Sequence, residues 1–258
     1  MGSVLSGRVQ GFARPCHLTP LPSPALEVSR YCLSFTAAGL RPELATVIAG
    51  IHLEVLGDWS RTKAVVLERN ALQTRSASTA KRLESELRQR LQRLTSPQLE
   101  LLARGTSEER RAMAWLAVLK RIQIAADLTR EVLMAKLGSL DPVLRRSDLE
   151  LFFEACERAH PELNRLAPSS QQKVRSALLQ MLRDAGLLAG KAGKGGTLGI
   201  VQRASISPQA QDLVADDDPA LLECYLLSTR DLGQQSVNAR AGAHTPARTA
   251  RSRERKTA

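Results

Sequence analysis

Aromatic residues, cysteines and long apolar runs are all scarce in this chain of 258 residues. Phe, Trp and Tyr make up 3% of it, which argues against an all-β sandwich because strands favour aromatic and β-branched residues. The longest apolar run without a charge, Ala112 to Leu119, is far shorter than the roughly 20 residues that cross a bilayer. We therefore expect a protein that does not span a membrane.

The cysteines show no spacing typical of a metal site or a disulfide framework. Such sites need clustered Cys or His ligands or closely spaced cysteine pairs. We therefore expect free thiols in a reducing cytoplasm, with no metal and no cofactor. The four residues are Cys16, Cys32, Cys156 and Cys224.

Signatures of catalysis are also missing. His52 and His160 have no cysteine, serine or carboxylate partner at a catalytic spacing, and an enzyme needs such a set. The glycine-rich segment 190–196 resembles a phosphate-binding loop only in part, because Gly196 stands where that loop requires lysine. We predict that the protein is not an enzyme and has no small-molecule substrate.

Positive charge is in clear excess, with 37 lysines and arginines against 26 acids and a net charge of +11. Such a charge suits a polyanionic partner. Over half of the excess lies in the two ends of the chain. We predict that residues 1–27, which are rich in proline, form a disordered extension. We also predict that the basic residues 229–258 are disordered, because Ala239–Ala258 contains no aliphatic side chain larger than alanine.

Apolar residues recur at helical spacing through the middle of the chain, which predicts a mainly α fold. We expect an N-terminal helical bundle with helix-turn-helix character over residues 28–140. Gly57-Asp58 is typical of one helix ending and the next beginning. Residues 107–133 are apolar on nearly all sides, which predicts one buried central helix. Ser147 to Glu150 has the spacing of a capping box that opens the second half.

The pattern over residues 141–228 predicts a small winged-helix-like C-terminal domain. A helix over 171–185 is followed by a short apolar strand at 187–188. A flexible loop with glycines and lysines comes next, and an apolar, β-branched strand at 198–201 follows it. Helix, strand, basic loop and strand, in that order, form a winged helix.

The first candidate DNA-binding segment lies within residues 61–93, which hold nine lysines and arginines against three acids. Small hydroxyl residues at a helix N-terminus allow close approach to phosphates, while Arg and Gln side chains can reach base edges. The alternative is a capped, solvated amphipathic helix. The candidate residues are Gln73, Arg75, Ser76, Ser78, Thr79, Lys81 and Arg82.

The second candidate segment is 171–203, with six lysines and arginines against one acid. In a winged helix, Lys173 and Arg175 would belong to the helix that enters the major groove, and Lys191 and Lys194 to the loop that reaches phosphates. Winged helices also serve as protein–protein modules, so this alternative stays open.

Six segments, in order along the chain, resemble the BrxA family of bacteriophage exclusion (BREX) defence systems. The resemblance extends over about residues 28–228. Ala38 and Ser76 depart from the family pattern, because they replace glycine and threonine. The resemblance implies a cytoplasmic, mostly helical accessory protein that binds double-stranded DNA and works with other BREX proteins. The segments are Tyr31–Leu40, Gly57–Trp59, Asn70–Thr79, His160–Glu162, Met181–Leu188 and Asp217–Pro219.

Two other functions remain open at this point. One is a protein-interaction adaptor within the defence complex, whose basic faces meet acidic partners. The other is a free-standing winged-helix transcription regulator. Nuclease-resistant copurification would favour the adaptor, and protection of a palindromic site near its own promoter would favour the regulator.

Overall fold

Helices dominate the computed structural model, which describes residues 30–227. The extensions predicted at 1–27 and 229–258 lie outside the described residues, as does Cys16. The helices are α1 (Pro42–Glu54), α2 (Trp59–Glu68), α3 (Ala77–Leu91), α4 (Ser96–Arg104), α5 (Ser107–Arg121), α6 (Gln123–Leu128), α7 (Met134–Gly138), α8 (Arg146–Ala159), α9 (Pro161–Asn164), α10 (Pro168–Asp184) and α11 (Pro208–Ala215).

Strands and tight helical turns complete the described part. The strands are β1 (Val143–Arg145), β2 (Leu188–Ala189) and β3 (Thr197–Val201). Turns of 3₁₀-helix occupy Ser34–Ala37, Lys194–Gly196 and Pro219–Tyr225, and Thr129–Leu133 forms a π-helical turn. No helix within residues 30–227 combines the length and the apolarity that a membrane span requires.

The junction between α1 and α2 follows from local sequence signals. Leu56 and Gly57 both have left-handed backbone, with φ of +58° and +83°. Their N–H groups donate to the carbonyls of Leu53 and His52, at 3.2 and 3.0 Å, in the pattern of a Schellman motif. Asp58 then caps α2 by accepting from the backbone N–H of Ser60 at 2.7 Å. The predicted helix end and cap are confirmed.

The central helix is interrupted, although the sequence predicts one helix over 107–133. Helix α5 is buried on nearly all sides, as expected, but Ile122 leaves the helical conformation with φ −112° and ψ 81°. The chain resumes as α6 and then widens into the π-helical turn. Ile122 is fully buried, so tertiary packing overrides the local periodicity here.

The winged-helix-like part is built as the sequence predicts. Strand β1 leads into α8, α9 and α10, and β2 and β3 flank the loop 190–196. The sheet is antiparallel with the order β1-β3-β2, and Ile200 of β3 lies between Val143 and Ala189. A Cβ at Gly199 would lie 2.6 Å from the carbonyl oxygen of Ala189, so β3 requires glycine there. The mainly α fold is confirmed, and the small three-stranded sheet is compatible with a winged-helix-like part.

Helix α8 starts differently from the prediction. It begins at Arg146, and the carboxylate of Asp148 accepts from the backbone N–H of Arg145 at 2.7 Å. The predicted capping box of Ser147 and Glu150 is therefore wrong. The helix starts two residues earlier, because the carboxylate of Asp148 accepts from the N–H of Arg145.

The last described elements pack on the first half of the chain. The indole N–H of Trp115 donates to the carbonyl of Cys224 at 3.1 Å, and the hydroxyl of Tyr225 donates to the carbonyl of Ala112 at 2.8 Å. An ion pair between Lys120 and Asp217 joins α5 to the residues that follow α11. The division into domains 28–140 and 141–228 stays a prediction, while α11 and the Pro219–Tyr225 turn contact the first of them.

A buried ion network ties α3 to the segment that precedes α1. Arg90, 2% exposed, pairs with Glu86 at 3.0 Å. Its guanidinium also donates to the carbonyl of Phe35 at 3.2 Å and to the carbonyl of Gly39. Arg121 of α5 lies 3.4 Å from the second oxygen of Glu86. One buried cation therefore fixes the backbone at both ends of residues 35–39.

Candidate nucleic-acid interface

The turn between α2 and α3 positions the first candidate segment. Helices α1, α2 and α3 pack against one another. Asn70 and Gln73 have left-handed backbone, with φ of +44° and +50°. The side chain of Asn70 closes the turn, because its Oδ1 accepts from the N–H of Thr74 at 3.2 Å and its Nδ2 donates to the carbonyl of Thr74 at 3.3 Å. Arg75 is thereby placed just before α3.

Three hydroxyl groups cluster at the start of α3. Ser76 caps the helix, since its Oγ accepts from the backbone N–H of Thr79 at 3.2 Å. The same Oγ lies 2.8 Å from the hydroxyl of Thr79 and 3.2 Å from that of Ser78. All three residues are exposed, so this helix start presents small polar groups to solvent.

Cations surround these hydroxyls, while the acids of α3 turn inward. Arg75, Lys81 and Arg82 are exposed, and none forms an ion pair with any residue of the described range. Glu84, in contrast, is buried and pairs with Arg88 at 2.7 Å. The name "α3 surface" is used below for Gln73, Arg75, Ser76, Ser78, Thr79, Lys81 and Arg82.

The candidates in the winged-helix-like part are in different environments. Lys173 of α10 and Lys191 of the loop are exposed. Arg175 turns toward α8, where it lies 3.6 Å from the carboxylate of Glu157 and 4.7 Å above the ring centroid of Phe153. The backbone of Lys194 is in a 3₁₀ turn, and its side chain lies outside the described part. The assignment of these residues to DNA stays a prediction.

Arg146 is a surface cation that sequence reasoning missed. It is exposed at the start of α8, and its Cβ lies 3.8 Å from where a Cβ at Gly196 would be. It also lines a small groove with Gln172 and Ser176 of α10. Arg146 therefore stands between the loop and α10. The sequence signal was the Arg145-Arg146 pair, of which Arg145 is engaged by Asp141 at 2.6 Å.

The sequence of this chain matches a known protein family. The model of the BrxA family matches residues 29–216. The chain belongs to the BrxA family. Within the part that the structure describes, no group of three or more His, Cys, Asp or Glu side chains is arranged to hold a metal ion.

Relatives of the BrxA family match at low identity. BREX protein BrxA of Escherichia coli O9:H4 (strain HS) is 28% identical over 121 residues, which are 47% of this chain and 57% of that protein. The chain thus spans little more than half the length of that relative. BREX protein BrxA of Paramagnetospirillum magneticum (strain ATCC 700264 / AMB-1) is 24% identical over 159 residues, 62% of this chain and 79% of that one.

A solved structure shares the fold. The crystal structure of an uncharacterized protein from Magnetospirillum magneticum aligns with a TM-score of 0.66 at 19% sequence identity. The alignment covers 76% of this chain and 98% of the other. At this identity the likeness shows the fold alone.

Two of the BrxA-like segments meet at a buried junction. The ring of Tyr31 stacks on His160 with the ring centroids 3.6 Å apart, and the backbone N–H of Tyr31 donates to Glu162 at 2.7 Å. The hydroxyl of Tyr31 donates to Asp127 at 2.8 Å. Burial, reinforced by the hydrogen bond to Asp127, raises the pKa of Tyr31. The segments at Tyr31 and His160–Glu162 therefore join the start of the described chain to α6 and α9.

Two other BrxA-like segments also have structural roles. In Gly57–Trp59, the ring of Trp59 stacks on buried His52 with the ring centroids 3.6 Å apart. In Asp217–Pro219, Asp217 pairs with Lys120, and Asp218 caps the following turn by accepting from the N–H of Ala220 at 3.1 Å. Of the six segments, Asn70–Thr79 supplies residues to the α3 surface.

Proposed function

We propose that this BrxA-family protein is a non-catalytic, cytoplasmic accessory component of a BREX-type phage defence system. In this role it binds double-stranded DNA, mainly through phosphate contacts, and acts with other BREX proteins. The observation that carries the proposal is the α3 surface. It combines exposed, unpaired cations with a cluster of hydroxyls at the start of one helix.

The chemistry of the α3 surface suits a phosphate backbone. Ser78, Lys81 and Arg82 share one helix face, because residues three and four apart are neighbours on an α-helix. Cations on such a face displace counterions from DNA, which provides affinity without sequence preference. Gln73 and Arg75, in the turn before the helix, are the side chains that would read base edges.

The winged-helix-like part supplies a second contact in this proposal. Exposed Lys173 on α10 and Lys191 in the loop would meet phosphates on either side of Arg146. Arg175 contributes through packing, since Glu157 and Phe153 already engage its guanidinium.

The test is fluorescence anisotropy with a labelled random-sequence duplex at several salt concentrations. Wild-type binding should weaken steeply with salt. Replacing Arg75, Lys81 and Arg82 by glutamate should weaken binding to duplexes of every sequence. It should also lower the log–log salt slope by about 2 to 3 if each cation contacts one phosphate.

A matched control reverses three other exposed arginines, Arg104, Arg158 and Arg165. It changes the net charge equally but leaves the α3 surface intact, so most of the affinity should remain. Equal losses of DNA affinity in both variants would show that the net charge of the protein, and not the α3 surface, determines binding. An unchanged affinity in the α3 variant, with a folded sample by circular dichroism, would refute the N-terminal site.

A second candidate function, the protein-interaction adaptor, is favoured by two exposed leucines. Leu56 is 92% exposed and Leu140 is 96% exposed, and both have left-handed backbone, with φ of +58° and +59°. A partner protein that covered these side chains would remove their apolar surface from water, which favours association. Copurification with the other operon products that survives nuclease treatment, and is lost in Leu56→Asn or Leu140→Asn, would support the adaptor.

A further inference from the structure

A cleft of about 490 Å³ opens between the chain preceding α1 and the last turn of α10. Thr36 and Gly39 form one wall, and Gln180 and Asp184 of α10 form the facing wall. Arg111 of α5 lies between them, with its guanidinium 3.9 Å from where a Cβ at Gly186 would be. The cleft shares no residue with the α3 surface.

Two segments that carry the BrxA resemblance meet in this cleft. Residues 36–39 belong to Tyr31–Leu40, and Asp184 belongs to Met181–Leu188. They are more than a hundred positions apart in the sequence, and DNA contact as proposed above uses neither. Of the polar side chains that line the cleft, Thr36 and Asp184 belong to these two segments.

The charged groups of the cleft are unpaired. Arg41, Glu43 and Arg111 are exposed, and within residues 30–227 none of them, nor Asp184, forms an ion pair. Asp184 accepts a hydrogen bond from Gln180 at 2.7 Å. Two cations and two carboxylates without ion pairs among the described residues suit a ligand that carries both an anionic group and hydrogen-bond donors.

The wall at residues 39–41 is held in shape before any ligand arrives. Gly39 and Arg41 both have left-handed backbone, with φ of +59° and +49°. For arginine this conformation is strained, and such strain clusters at ligand clamps. The buried guanidinium of Arg90, which donates to the carbonyls of Phe35 and Gly39, prevents this wall from relaxing.

We infer that the cleft binds a nucleoside phosphate. Arg41 and Arg111 would hold the phosphate, while Glu43 and Asp184 would accept from the hydroxyl or amino groups of the nucleoside. The volume is within the range of small-molecule sites, about 300–1,000 Å³. This inference is independent of DNA binding at the α3 surface.

Isothermal titration calorimetry of the full chain with AMP, ADP and ATP tests the inference, with adenosine as the probe that lacks phosphate. Saturable binding of at least one nucleotide at up to millimolar concentration is expected, with weaker binding of adenosine and of inorganic phosphate. Arg111→Gln and Arg41→Asn should each weaken binding about 10- to 100-fold, because each removes a charged hydrogen-bonding group. Asparagine tolerates the left-handed backbone at position 41.

The matched control is Arg104→Gln, which removes an exposed arginine whose one ion pair within residues 30–227 is with Glu100 at 2.9 Å. Its nucleotide affinity should equal that of the wild type, and all three variants should keep the melting temperature of the free protein. Absence of binding by every nucleotide, equal binding of adenosine, or affinities unchanged in Arg41→Asn and Arg111→Gln would overturn the inference.

DNA anisotropy on the same variants separates this inference from the proposed function. Arg111→Gln should bind DNA as the wild type does. If it loses DNA affinity and no nucleotide binds, the arginines belong to the DNA surface, which overturns the cleft site and leaves DNA binding standing. If nucleotides bind but DNA does not, the proposed function fails alone.

Discussion

Replacing Arg90 with methionine should destabilise the fold more than any surface substitution. Arg90 is 2% exposed and pairs with Glu86, which is 5% exposed. Without the guanidinium, Glu86 keeps, among the described side chains, only the contact with Arg121 at 3.4 Å, and the carbonyls of Phe35 and Gly39 lose a donor. Removing one partner of a buried pair costs about 3–5 kcal/mol. The free energy of unfolding of a whole domain is about 5–15 kcal/mol, so this loss would be a large share of the total stability.

The double variant Arg90→Met/Glu86→Leu separates the loss of a contact from the exposure of an unpaired charge. Replacing both members of a buried pair by apolar residues is often neutral or stabilising. We therefore expect the double variant to recover about 2 kcal/mol of the single variant's loss, while Arg121 keeps its bond to Gln89 at 2.6 Å.

Urea unfolding followed by circular dichroism measures all three proteins. The control, Arg104→Met, removes one member of an exposed pair and should cost at most about 0.5 kcal/mol. A loss below about 1 kcal/mol in Arg90→Met, or a double variant as unstable as the single one, would refute the reasoning that the buried charge needs its partner.

Three further outcomes are expected. Leu56→Gly should raise the free energy of unfolding by about 0.5–1 kcal/mol, because glycine adopts φ of +58° without a Cβ penalty; a lower urea midpoint would contradict this. Burial lowers the pKa of His52 from 6.5, against an opposing effect of Asp58. The free energy of unfolding should therefore fall as the pH drops below about 6.5. In urea unfolding at several pH values, His52→Gln should show a smaller dependence of that free energy on pH. Burial raises the pKa values of Cys156 and Cys224 to about 11, so a thiol reagent should modify neither in the folded protein at neutral pH, and early labelling by mass spectrometry would show local opening.

The parts of the fold that local signals govern could be predicted from the sequence. The end of α1 and the start of α2 depend on the neighbouring residues Leu56, Gly57 and Asp58. The order of strands and helices in the winged-helix-like part follows from periodicity and the glycine-rich loop. The break at Ile122 could not be predicted, because the helical pattern continues through it and only the packing of its neighbours decides the backbone. The start of α8 depended on which of two nearby acids reached one N–H group.

The candidate site shows the same division. The exposure of Lys81 and Arg82 follows from the amphipathic spacing of α3. Arg175 is also part of an amphipathic helix, yet it turns toward α8, because Glu157 and Phe153 arrive from another element. Arg146 stands beside the loop only through tertiary placement, so no local pattern identifies it. The spacing of cations along one helix therefore does not predict their exposure where a second helix, such as α8, packs against the same face.

The return of α11 and the Pro219–Tyr225 turn to α5 has a consequence for synthesis on the ribosome. Trp115 finds the acceptor for its indole N–H in Cys224, 109 residues later in the chain. Chains emerge N-terminus first, and their domains generally fold as they appear. Here one side of α5 stays uncovered in the nascent chain until α11 and the Pro219–Tyr225 turn have been translated. Premature termination anywhere before residue 208 would therefore leave that side open to chaperones and proteases.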